Sequence, residues 1–384
     1  MERFIPLSVP NLKGNELRYV MEAVKSEWVS TGGSYIREFE RALADYLRQE
    51  NTVALQSGTA GLHLALQMAG VRRETLVLVP TLTFIAAVNP VRYLGAEPIF
   101  MDCDDSLCMD PDKLERFCRE ECRIEGETLI HKKTGKEIPA LVIVHVFGNM
   151  ADMEKLIDIA ERYHLCVIED ATEALGSGIL EGRYAGRFAG TMGDFGVYSF
   201  NGNKIITTGG GGVVVSAHPE KLAKIRYLST QAKDDELYYI HDEVGYNYRM
   251  TNLQAALGVA QLEQLEDFIR IKKQNYEHYR RELESMEGLE LLSFRAGIRP
   301  NYWFYALYIK ESYGRTRDEL LRHLAEQKIQ TRPIWGLIHE QKPYRDCEAY
   351  RIEKAPHYYE TLLNIPCSSN LSSEEVERVI KNLK

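Results

Sequence analysis

No stretch of the chain approaches the run of about 18 apolar residues that a membrane-spanning helix requires, so no span is expected. Met1-Glu2-Arg3-Phe4-Ile5-Pro6 lacks the basic start and apolar stretch of a secretory leader, which points to the cytoplasm. Positive charge is in deficit: 47 Lys and Arg against 56 Asp and Glu give a formal net charge of −9. That balance argues against a nucleic-acid partner, whose backbone needs clustered cations. A small phosphorylated ligand needs only local donors, so it stays open. The seven cysteines show no C-x-x-C pair, and no histidine pattern joins them into a metal site. Reduced, mostly structural thiols and no bound metal are the expectation. No G-x-G-x-x-G follows the first strand, and the glycines at 209–212 precede a strand instead of a helix. A dinucleotide-binding turn is therefore missing. Internal repeats and low-complexity segments are also absent.

What is present suits an α/β protein. At 384 residues the chain exceeds what one simple core usually holds, so a large and a small domain are expected. Residues 76–79, 98–101, 141–144, 166–168 and 213–215 read as strands buried on both faces. Their alternation with helical stretches predicts a mainly parallel sheet covered by helices. The polar stretch 125–138, with its turn signal, reads as a surface hairpin or loop, or functionally as a lid. A long helical pattern from Gln254 to about Met286, stopped by Gly288, would run from the large to the small domain. Beyond it come strands at 289–294 and 303–309, a helix at 316–327, and a last helix opened by Ser372 with Glu375 in capping-box spacing. The division expected is 1–262 for the large domain and 263–384 for a smaller α+β domain, with residues 1–15 packing on the latter.

Three stretches carry chemistry. Ser199-Phe200-Asn201-Gly202-Asn203-Lys204 puts a hydroxyl five residues before a lysine. A lysine amine can form a Schiff base with an aldehyde cofactor, and a nearby serine can hold that cofactor's phosphate. Alone, the stretch reads more readily as a polar loop before a glycine-started strand. Cys166-Val167-Ile168-Glu169-Asp170 reads as a buried strand ending in acid, which aims Asp170 at a site beyond the sheet. A helix cap is the plain alternative for that carboxylate. Gln56-Ser57-Gly58-Thr59-Ala60-Gly61 precedes an apolar helical pattern, and a helix start offers unpaired N–H donors to a phosphate. An ordinary Ser/Thr N-cap is the alternative there.

These stretches fall in order with Pro80-Thr81-Leu82-Thr83-Phe84, Val144-His145-Val146-Phe147-Gly148, Glu169-Asp170-Ala171-Thr172-Glu173 and Gly245-Tyr246-Asn247-Tyr248-Arg249-Met250. The set resembles the DegT/DnrJ/EryC1/StrS nucleotide-sugar aminotransferases over nearly the whole chain. The wording around Lys204 is most similar to enzymes that aminate UDP-linked 4-keto-6-deoxy-N-acetyl sugars toward bacillosamine or legionaminic acid. The resemblance implies a fold-type I aminotransferase, pyridoxal 5'-phosphate as cofactor and L-glutamate as amino donor. It also implies a homodimer with shared active sites.

Carried over residue by residue, the resemblance makes Lys204 the cofactor's anchor and proton carrier. Asp170 would partner the ring nitrogen and Phe84 would stack on the ring. Ser199, Gly58, Thr59 and Ala60 would hold the phosphate, with Asn247 reaching it from the neighbouring subunit. Glu173 stands where the family varies among Gln, His and Glu near the cofactor's phenolic oxygen. An ionised carboxylate there would repel a phenolate, so a protonated or water-bridged Glu173 is expected. Thr31, Arg249 and His339 fall in stretches resembling those that line the sugar-nucleotide cleft. The competing readings are a GDP-4-keto-6-deoxymannose 4-aminotransferase and a regulatory homologue that has lost catalysis. Sugar dehydratases of the same fold carry histidine in place of the lysine, and Lys204 speaks against them.

Overall fold

A computed structural model describes residues 3–384; Met1 and Glu2, the first two of residues 1–15, lie outside it. Eight strands form the main sheet in the order Val53–Leu55, Gly212–Ser216, Phe195–Ser199, Cys166–Asp170, Ala140–Val144, Leu76–Pro80, Glu97–Met101, Ala349–Tyr350. From Phe195–Ser199 to the far edge all neighbours are parallel. Gly212–Ser216 runs antiparallel to both of its neighbours. The central strands are apolar runs because helices cover both faces and leave no solvated side to alternate toward.

Three strands of this sheet escape the sequence reading, Val53–Leu55, Phe195–Ser199 and Ala349–Tyr350. The second reads Phe-Gly-Val-Tyr-Ser, and glycine and serine dilute its strand signal. Its Gly196 is required by close approach, since a Cβ there would sit 1.8 Å from the Gly190 carbonyl oxygen.

A second, antiparallel sheet takes the order Leu289–Leu291, Tyr305–Ile309, Leu362–Ile365, Arg332–Pro333. The helices Leu265–Leu283 and Ser373–Leu383 pack on each other beside it. Ser372 and Glu375 form the expected capping box, as do Thr316 and Glu319 at the start of Arg317–Glu326. Ile5 exchanges backbone hydrogen bonds with this part of the chain, donating to Lys328 O at 2.9 Å and accepting from Gln330 N at 2.8 Å. After residue 262 the chain does not stay with one sheet, because Ala349–Tyr350 returns to pair with Glu97–Met101.

The single long helix expected from Gln254 is two helices, Asn252–Leu262 and Leu265–Leu283. The break has a tertiary cause. Gln264 turns its side chain back to donate to Glu16 Oε1 at 2.6 Å and to Ala260 O at 3.2 Å. Residues 122–131 form the surface hairpin, pairing Cys122–Glu125 with Thr128–His131. Among the described residues no helix is long and apolar enough to cross a membrane.

Candidate active site

Parallel strands release their chains at one edge, and there the sheet builds a cavity of about 330 Å³. Cys166–Asp170 ends with the Asp170 carboxylate in it, and Phe195–Ser199 ends with Ser199 at its wall. The loop after Ser199 brings in Asn201, Asn203 and Lys204. The helix Gly58–Met68 points its first turn at the same space through Ser57, Gly58 and Thr59. Phe84, half-exposed, stands at the mouth.

The alternation of a strand sends neighbouring acids to different fates. Glu169 is buried away from the cavity and is saturated with donors. It accepts from Gly190 N at 2.7 Å, Met192 N at 2.6 Å and Gly193 N at 2.5 Å, and pairs with His145 Nε2 at 2.9 Å. Asp170 faces the cavity and accepts from Thr172 N at 3.1 Å in a turn, with no helix following it. Burial pushes the Asp170 carboxyl upward, against the Thr172 hydroxyl and amide and the Lys204 charge. A buried acid with so little compensation is suited to a cationic ring nitrogen.

Glu173 lies across from the amine, with Oε1 3.8 Å from Lys204 Nζ, while Oε2 accepts from Phe147 N at 2.9 Å. Burial raises its carboxyl to about 7, with the Lys204 charge opposing. Burial likewise lowers Lys204 below the ordinary lysine range, with Glu173 and Asp170 pulling the other way. An amine of reduced basicity beside a half-protonated acid is prepared for proton exchange near neutral pH.

Two further expectations need correction. Ala60 cannot offer its amide to a phosphate, because that N–H already donates to the Ser57 hydroxyl at 3.1 Å and closes the N-cap. The amides of Gly58 and Thr59, in the first turn, have no partner within the helix and stay available as donors. Arg249 is not a substrate residue of this cavity. Its guanidinium is buried and donates to Glu40 Oε1 at 2.6 Å and Ala54 O at 2.8 Å, in a network that Arg226 joins through Glu40 Oε2 at 3.0 Å.

Thr31 and His339 also lie outside the cavity wall. Thr31 is exposed on a loop whose neighbours Trp28, Gly32 and Gly33 line a separate cleft. His339 Nδ1 is bonded to the Thr81 hydroxyl at 2.6 Å, behind the wall. Asn247 is exposed and accepts from Gln231 Nε2 at 3.0 Å, away from its own chain's cavity.

The sequence reading missed an aromatic wall. Trp303, Phe304 and Trp335 line the cavity, and Phe147 packs against all three with ring centroids 4.8 to 6.1 Å apart. Trp303 and Phe304 read in the sequence only as the start of a strand.

Cavity, amine, acid and helix start together suit an aldehyde cofactor with an anionic arm: the amine would take the aldehyde, Asp170 would partner the ring nitrogen, and the first helical turn would hold the phosphate. On this fold, that combination defines a pyridoxal-phosphate-dependent aminotransferase. Residues 10–384 match the model of the DegT/DnrJ/EryC1/StrS aminotransferase family, and the chain belongs to that family. A GDP-perosamine synthase of Caulobacter vibrioides is 35% identical across 99% of this chain and 97% of its own. The UDP-4-amino-4,6-dideoxy-N-acetyl-beta-L-altrosamine transaminase of Campylobacter jejuni is 28% identical across 98% and 95%. The crystal structure of the aminotransferase TlmJ from Streptoalloteichus hindustanus matches with a TM-score of 0.88 at 26% identity, covering 99% of this chain and 98% of that one.

Proposed function

We propose that the protein transfers the amino group of L-glutamate to the C4 ketone of a UDP-linked 4-keto-6-deoxy-N-acetylhexosamine in the cytoplasm, on a route of the bacillosamine or legionaminic-acid kind. The donor leaves as its 2-oxo acid and the sugar nucleotide gains the amine. The observation that carries the reading is the placement of Lys204 Nζ 3.8 Å from Glu173 in the cavity that Asp170 shares. When bound, the cofactor supplies the electron sink for breaking and making bonds at carbon.

The chain's own residues do the rest. Lys204 Nζ, poorly solvated and so of reduced basicity, would move a proton to and from the donor's α-carbon. Asp170 would partner the cofactor's ring nitrogen. Phe84 would lie against the ring, and Ser199, Gly58 and Thr59 would hold the phosphate. Glu173, near half-protonated at neutral pH, presents a proton instead of a charge to the phenolic oxygen. The wall of Trp303, Phe304 and Trp335 excludes water from this exchange. Asn247 completes the phosphate site of a second copy in a homodimer.

The 35% identity to a GDP-perosamine synthase supports a second reading, a GDP-4-keto-6-deoxymannose 4-aminotransferase. One experiment separates them. Purified protein is first treated with L-glutamate and freed of it, then offered UDP- and GDP-linked 4-keto sugars, and the amino sugar nucleotide is identified by mass spectrometry. Product from the UDP sugar alone supports the first reading. Product from the GDP sugar alone replaces it with the second, and no change in cofactor absorbance with glutamate rejects that donor.

A further inference from the structure

Lys204 has a neighbour that neither the sequence motifs nor the family's name accounts for. Its Nζ lies 4.2 Å from the centroid of the Trp303 ring, within the reach of a cation–π contact. The ring is placed with unusual completeness for a residue that comes from the far part of the chain. Its indole N–H donates to Asn203 O at 2.8 Å, the backbone carbonyl immediately before the lysine. Its backbone N donates to Asn301 Oδ1 at 2.9 Å. Asn301, itself buried, donates through Nδ2 to Glu173 O and Leu175 O, both at 2.9 Å. The indole is therefore registered at once to the backbone that bears Lys204 and to the backbone that bears Glu173.

Gly148 makes this close approach possible. A Cβ there would fall 1.9 Å from Asn301 Oδ1, and its φ of +87° already favours glycine. The Val-Phe-Gly turn thus serves the pair twice: Phe147 N holds Glu173 Oε2, and Gly148 admits Asn301.

We propose that Trp303 is a positioning residue for Lys204: its indole face holds the ε-ammonium whenever the amine is not joined to the cofactor, and keeps it against Glu173. A freed lysine on a four-carbon stem otherwise gains rotamers, and each one that leaves Glu173 costs a productive proton transfer. The charged groups that face the amine are Glu173 and Asp170, with the His145–Glu169 pair behind Asp170. Trp303 stabilises the cation without adding a further negative charge to the cavity. The inference rests on Lys204 being the cofactor's attachment point, which borohydride reduction and mapping of the labelled peptide test separately.

The test uses the protein stripped of cofactor, so that neither substrate identity nor turnover enters. Lys204 reactivity toward trace acetic anhydride is followed across pH by mass spectrometry of its peptide. Two roles for Trp303 predict opposite signs. If the ring only excludes water, Trp303→Leu raises the titration of the amine. If its face holds the cation, Trp303→Leu lowers it by roughly 0.4 to 1.5 pH units. Trp303→Phe keeps a ring face but loses the indole N–H, so it is expected to stay closer to the parent protein than Trp303→Leu.

A second measurement keeps the proposal testable should the leucine variant fail to fold. Trifluorinated tryptophan, incorporated at position 303 in a chain whose Trp28 and Trp335 are replaced by phenylalanine, keeps shape and hydrogen bond while weakening the ring's negative face. A downward shift in Trp303→Leu or with the fluorinated ring supports the proposal. An unchanged or raised titration in the folded proteins overturns it.

Discussion

Glu173 and Lys204 are better treated as one titrating unit than as an acid and a base. Burial holds the acid's proton on and weakens the lysine's hold on its own, so the two groups are drawn toward exchanging protons with each other. Replacing Glu173 with glutamine removes the group that titrates and leaves its shape. We expect a clearly altered dependence of cofactor absorbance on pH in Glu173→Gln, and an unchanged curve would remove Glu173 from the cofactor's environment. The sign for stability also follows. Folding raises this carboxyl from 4.5 to about 7, so the native state binds the proton more tightly than the unfolded chain. The contribution is present in full below pH 4.5 and is lost as pH rises through about 7. Relative to Glu173→Gln, the parent protein should therefore lose thermal stability over that interval. A parallel pair of melting curves across it would contradict the raised value.

Arg249 shows the same physics put to a structural use. Glu40 is buried and receives Arg249, Arg226 and the Ala54 amide. Removing one partner of a buried pair costs about 3–5 kcal/mol when the other is left bare; Glu40 would keep Arg226 and the Ala54 amide, so a smaller loss is expected. Arg249→Ala should lower the melting temperature, and the additional change Glu40→Gln should recover part of the loss. If Arg249→Ala instead melts like the parent and loses only sugar-nucleotide binding, the substrate role returns.

At the scale of elements, the chemistry is set by how strand ends and turns are held. The turn 145–148 contains two residues of positive φ, Phe147 at +58° and Gly148 at +87°. Glu173 is held by the first of these and Asn301 passes beside the second. Gly148→Ala would force the Asn301 side chain out and strain the turn, at a cost of roughly 1–3 kcal/mol for the backbone alone. We expect weakened cofactor retention together with lower stability, read by dialysis and by thermal melting. Retention equal to the parent's would show that the Asn301 network is dispensable.

This arrangement also explains what the sequence could and could not reveal. Asp170 and Lys204 were legible because local patterns carry them: an apolar run ending in acid, and a hydroxyl, lysine and glycines in one loop. Four of the parallel strands, Leu76–Pro80, Glu97–Met101, Ala140–Val144 and Cys166–Asp170, were legible for the same reason, as burial on both faces leaves a continuous apolar run. Trp303 was not, because its partner Asn203 stands 100 residues away and nothing local marks a tryptophan as facing a lysine. Arg249 misled for a similar reason, with Glu40 209 residues distant. Ala60 misled at short range, since a motif shows which residues begin a helix but not which amide the cap consumes. The Gln264 break is likewise a tertiary event, caused by Glu16, 248 residues away.

At the scale of the whole molecule, Asn247 lies away from the cavity of its own chain, so the phosphate-binding role proposed for it requires a second copy. Asn247 Oδ1 is occupied by Gln231 on an exposed surface, while the amine, acid and helix start of the same chain converge elsewhere. The segment leading to Asn247 carries an exposed apolar cluster, with Leu237, Tyr238, Tyr239 and Val244 each at least 70% exposed among exposed acids such as Glu236 and Asp242. Such a patch is costly to leave in water and fits a face that a second copy covers. A shared site makes a sharp prediction about mixtures. Lys204→Ala and Asn247→Ala proteins are each expected to be nearly inactive, for different reasons. Unfolded together and refolded at equal amounts, half of the dimers should be mixed, and each mixed dimer should hold one site with both residues intact. Activity should then recover to about a quarter of the parent's, the statistical limit for a two-fold dimer with sites shared across the interface. If Asn247 served its own chain, every site in the mixture would still lack one of the two residues and nothing would be recovered.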